Sequence, residues 1–141
     1  MIFDALKYEI NQVYPDLPVF FVSPDYTDQC PPYFVVNLVD GAPSGSGMSG
    51  RWQIRVAHTD KLLIESEIIP AIRSIFHDKS GLFGEPGSEE AFFLCGVILE
   101  TPVLEGENGI FYKSIDLKMF YKRGFKMPNP QTSYLNKEAT L

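Results

Sequence analysis

Residues 51–59, RWQIRVAHT, decide the fold. Trp52, Ile54, Val56 and His58 take alternate positions, and Arg51, Gln53, Arg55 and Thr59 take the others. A period of two sends successive side chains to opposite faces of a strand, so one face is core and the other polar. Thr59 or Asp60 is then placed to cap a helix. In that helix Leu63, Ile64, Ile68, Ala71, Ile72, Ile75 and Phe76 keep the helical spacing. Pro70 lies inside the pattern and removes one backbone donor, which predicts a kink or a restart there.

Working toward the N-terminus, residues 41–50 (GAPSGSGMSG) contain four Gly and three Ser and predict a long, mobile loop. Residues 33–39 (YFVVNLV) form an unbroken apolar run, as expected of a strand covered on both faces or at a subunit contact. Residues 23–32 are turn-rich, and residues 17–23 (LPVFFVS) predict a first strand. Ile2, Phe3, Leu6, Ile10 and Val13 lie at helical spacing with Asp4, Lys7, Glu9 and Asn11 outside, a short amphipathic helix stopped by Pro15 and Pro18.

Toward the C-terminus, residues 78–90 read as loop, and residues 91–100 as an apolar strand. Residues 110–123 alternate Ile115, Leu117, Met119 and Tyr121 against Ser114, Asp116, Lys118, Phe120 and Lys122. Residues 124–141 have two Pro and no period, and predict an extended tail. Consecutive strands favour an antiparallel or mixed sheet with two main helices on one face. The expected class is α+β: one domain over 1–123 followed by the tail.

The chain has 141 residues, 45% of them hydrophobic and 21% charged, which is ordinary globular usage. At this length folding removes roughly 70% of the unfolded chain's surface from water, so a core forms without staples. The net charge of −6 argues against a surface that grips phosphates. Cys30 and Cys95 stand 65 positions apart outside any CxxC pair and read as two free thiols, compatible with a reducing cytoplasm. The sequence shows no basic-then-apolar leader and no apolar run of about 18 residues, so neither secretion nor a membrane span is expected.

No residue set points to chemistry. His58 and His77 have no Cys or second His near them in sequence, so no metal is expected. Pairing either one with a cysteine as base and nucleophile needs a third, orienting group that the sequence does not supply. Glu65/Glu67, Glu89/Glu90 and Glu105/Glu107 read as surface charge. GSGMSG lacks the Lys-Ser/Thr ending of a phosphate loop. Trp52 reads as core. Met48, Phe125, Met127 and Tyr134 are apolar groups in otherwise polar stretches, and are candidate contacts with another subunit. Arg51 and Arg55 on the polar face of their strand are candidate charged contacts.

The order of elements carries a resemblance. A first helix leads to the strand PPYFVVNLVDG and a Gly/Ser stretch. RWQIRVAHTDK then runs into a helix beginning LLIESEIIPAIRSIF, and IFYKSIDLKMFYKR closes the pattern. Over residues 2–123 this resembles the tail terminator (tail-completion) proteins of long-tailed bacteriophages. The resemblance implies a virion subunit, assembled in the host cytoplasm, that forms a ring, typically a hexamer. Such a ring caps the tail tube, halts its polymerisation and offers a docking surface to the head connector. DNA passes through its lumen without specific binding, and an acidic wall suits that passage. No catalytic residue or cofactor is implied. Two other readings stay open: a head-completion or neck adaptor on the portal side, and a small enzyme or ligand-binding domain using Cys30 or His58.

Overall fold

A computed structural model describes residues 2–21, 30–45, 47–86 and 92–122. The tail expected over 124–141 lies outside the described residues, and so do Phe125, Met127 and Tyr134.

One mixed seven-stranded sheet organises the chain. Its strands are β1 (Val19–Phe20), β2 (Tyr33–Ser44), β3 (Gly47–His58), β4 (Lys79–Leu82), β5 (Phe92–Glu100), β6 (Leu104–Glu105) and β7 (Phe111–Lys122). They run in the order β1-β2-β3-β7-β5-β4, with β6 also on β7. Among the described residues only β1 and β2 pair in parallel; the other pairings are antiparallel. The α+β class and the packing of the helices on one face are as expected.

Cross-strand register fixes the two faces. Trp52 lies between Leu38 and Leu117, and Ile54 between Val36 and Ile115. Of these, Trp52, Leu117, Ile54, Val36 and Ile115 join helix α1 (Ile2–Val13) and the second helical rod in a single buried cluster. That rod consists of α2 (Lys61–Leu63), a π-helical turn (Ile64–Ile68) and α3 (Ile69–Phe76). Asp60 caps it, its side chain accepting from the Leu63 N–H at 3.1 Å. Pro70 sits in the first turn of α3, where an absent N–H costs nothing, and the π turn precedes it. The expected restart at Pro70 is what forms. Trp52 is core, although its buried Nε1 finds no hydrogen-bond partner.

Several expectations are corrected. The Gly/Ser stretch is a β-hairpin, not a mobile loop: β2 and β3 stay paired from Gly41↔Gly50 out to Ser44↔Gly47. Gly45 has φ 60°, the left-handed geometry of tight hairpin turns. A Cβ on Gly47 would lie 2.6 Å from the Tyr121 carbonyl oxygen and 2.7 Å from the Phe120 ring. Glycine therefore serves close approach to β7 there, a role that composition alone reads as flexibility. Met48 pairs with Tyr121 and packs against the core, so it does have a local core to enter.

The 78–90 segment also holds a strand, β4, which pairs with β5 and buries Leu82 in the main cluster. β1 is two residues long, shorter than the 17–23 expected. Glu9 is buried rather than outside, its carboxylate accepting from the Gly84 N–H at 2.9 Å. Val13 is exposed. Tyr33 to Val36 are buried on both faces as expected, but Leu38 and Val39 are exposed. Val39 is the extra residue of a bulge between Leu38 and Asp40.

Candidate functional site

The helices cover one face of the sheet. Among the described residues the other face carries only a small second cluster, Tyr33, Val35 and Ala57 with Phe20, Ile110 and Tyr112 against it. The rest of that face is open, and its side chains follow from register. One row across the strands reads Asp40, Arg51, Lys118 and Gly96, and the next reads Asn37, Gln53, Asp116 and Leu99.

Polar groups fill its centre. The Arg51 guanidinium donates to Asp116 Oδ2 through Nε at 2.9 Å and through Nη2, while Gln53 Nε2 donates to Oδ1 at 3.1 Å. Asp116 is 3% exposed, so its charge is held away from water by three donors. Ser114 is buried beside it, although both lie on the face opposite Ile115 and Leu117. Arg55 stacks over Tyr112, 5.4 Å from the ring centroid, beside a hollow of about 310 Å³. Of the sequence-predicted contacts the structure brings Arg51 and Arg55 onto this one face and places Met48 on the opposite, core-facing side.

Apolar groups edge the polar centre. Leu94, Ile98 and Leu99 on β5 and Leu104 on β6 are 45–56% exposed. A register shift in β5 between Val97 and Leu99 makes Ile98 an extra residue. Ile98 lines a hollow of about 410 Å³ with Asp40, Arg51 and Lys118. Sequence reading missed these positions, although a signal was present. An apolar run such as FFLCGVILE fills both faces of its strand, and two helices on one face can cover only half of it.

The groups considered for chemistry have structural partners. His58 Nδ1 accepts from the Asp60 N–H at 2.8 Å, and His77 Nδ1 from the Val97 N–H at 3.1 Å. Arg73 makes a two-point pair with Glu100, which Lys113 also approaches, on the helix-covered side. Among the described residues no group of three His, Cys, Asp or Glu could hold a metal. No described helix is long and apolar enough to cross a membrane.

Neither cysteine is in a disulfide; Cys30 is exposed and Cys95 buried. Burial pushes the Cys95 thiol up to about 12, so it stays protonated and a poor nucleophile. Iodoacetamide at pH 8 should label the native protein at Cys30 alone and the denatured protein at both. Mass spectrometry before and after guanidinium checks this, and rapid native labelling of Cys95 would contradict its burial.

No protein-family model matches this chain, and no curated protein does.

Proposed function

We propose that this chain is a structural subunit of a phage tail that closes into a hexameric ring, caps the tail tube, stops its growth and presents a docking surface to the head connector. One observation carries the reading. Next to the polar centre of the open face, β5 exposes Leu94, Ile98 and Leu99, with Ile98 beside Arg51 and Lys118. Large aliphatic groups beside arginine, on a sheet face with no described helix over it, are what a subunit contact buries. The order of elements over residues 2–123 supports the same reading. The acidic balance of the chain suits a channel that phosphates pass without sticking.

Mass measurement in solution, with and without tail tube protein, tests the ring. The expected result is a closed oligomer of about six subunits, at least once tube protein is present. A chain that stays monomeric under both conditions sinks the reading. Adding the protein to polymerising tube protein tests the cap: a terminator stops elongation, whereas a head-side adaptor leaves tube length unchanged.

A further inference from the structure

We infer that the open sheet face binds a second copy of this chain head to tail, receiving the exposed side of the neighbour's α2 and π-helical turn. The inference rests on the ring reading and names the two surfaces that would form the ring's contact.

Charge is divided unevenly over the molecule. Of the chain's 12 basic residues, strand alternation places Arg51, Arg55, Lys118 and Lys122 on the open face. Against them among the described residues stand Asp116 in the centre and Asp40 and Asp78 at the margins, three of the chain's 18 acids. The other described residues carry five basic and ten acidic side chains. A face of slight positive charge thus belongs to a molecule that is otherwise strongly negative, and its best electrostatic complement is another part of the same molecule.

The start of the second helical rod supplies that complement. Leu62 is 73% exposed, the most exposed large hydrophobic residue among those described. Glu65, Ser66 and Glu67 follow it on the solvent side, while Ile64 and Ile68 face the core. An aliphatic knob with Lys61 beside it and the Glu65 carboxylate one helical turn further on fits a surface that offers Ile98 and Leu99 beside Arg51 and Lys118. The two surfaces lie on different sides of the subunit, one on the bare sheet face and one on the layer of helices opposite. A contact between unlike surfaces is heterologous, and repeated copies close into a ring when the rotation permits.

The test is a charge swap read as oligomer mass by sedimentation velocity on the full chain. Lys118 is exposed, and its replacement leaves the Arg51–Asp116 pair intact. Lys118→Glu alone should weaken self-association at least about tenfold, as should Glu65→Lys with Glu67→Lys, since each sets like charges against each other. Combining all three changes should restore most of the lost association. Circular dichroism on each variant shows that folding is unaffected.

If the wild type forms rings and neither swap changes them, this contact is wrong while the ring reading stands. If both swaps weaken association but their combination does not recover it, the surfaces do not face each other, and the inference fails. A wild-type chain that remains monomeric, with and without tube protein, overturns both.

Discussion

Replacing Phe34 with alanine should lower stability by about 4 kcal/mol, the cost typical of removing a fully buried phenylalanine. Phe34 is 0% exposed and lies in β2 with its ring 5.7 Å from that of Tyr14. It shares the main cluster with residues of both helices, so the void would open where the helices meet the sheet. The neighbouring backbone cannot close in easily, because the Phe34 N–H is held by the Pro18 carbonyl at 2.8 Å and β3 pairs along the other side. For a domain of this size the melting temperature should fall by roughly 15 °C. Leu62→Ala should stay within about 0.5 kcal/mol of wild type, because Leu62 is exposed in the subunit. Denaturant melts of the two variants at low protein concentration check the contrast. A Phe34→Ala cost under 1 kcal/mol would mean that α1 does not pack on this face.

The same contrast shows what was readable in the sequence. Trp52, Ile54, Ile115 and Leu117 declare themselves because alternation is local and a half-buried strand repeats every two residues, while Phe34 is legible from an unbroken apolar run. Pro70 is equally legible: its missing donor demands a helix start or an irregular turn, and a π turn precedes it. The hairpin over 41–50 was not legible. Its glycines permit strand contact with β7, some 70 positions away in sequence, and a local window sees only their freedom. β4 fails in the same way, since KSGL has no period and exists as a strand through its pairing with β5. Glu9 carries the signature of a solvent position, but a distant N–H at Gly84 draws it inward. The open face was half legible. Arg51 and Arg55 were visible as the polar side of a strand, but the exposure of Leu94, Ile98 and Leu99 depends on where the helices pack, which no strand pattern states.

Arg51 also separates a structural role from an assembly role, and Arg51→Leu should have the second large effect. The side chain is 37% exposed while its partner Asp116 is 4% exposed, so the two ends of the ion pair are unequal. Removing the arginine leaves a buried carboxylate with Gln53 as its remaining donor in this network, at a cost of about 3 kcal/mol. Asp116→Leu should cost less, about 1.5 kcal/mol, because the freed guanidinium can turn to water. The double variant Arg51→Leu/Asp116→Leu should recover most of the arginine loss, since no charge then remains buried and two leucines can pack beside Leu99. A double-mutant cycle from urea melts measures the coupling, expected at about 3.5 kcal/mol, which leaves the double variant about 1 kcal/mol below wild type. Additive losses would mean that the pair does not form in solution. The cycle also frames the assembly reading: the double variant restores the subunit's stability while removing the arginine from the open face. If that face is a subunit contact, the double variant should fold well and still associate more weakly than wild type.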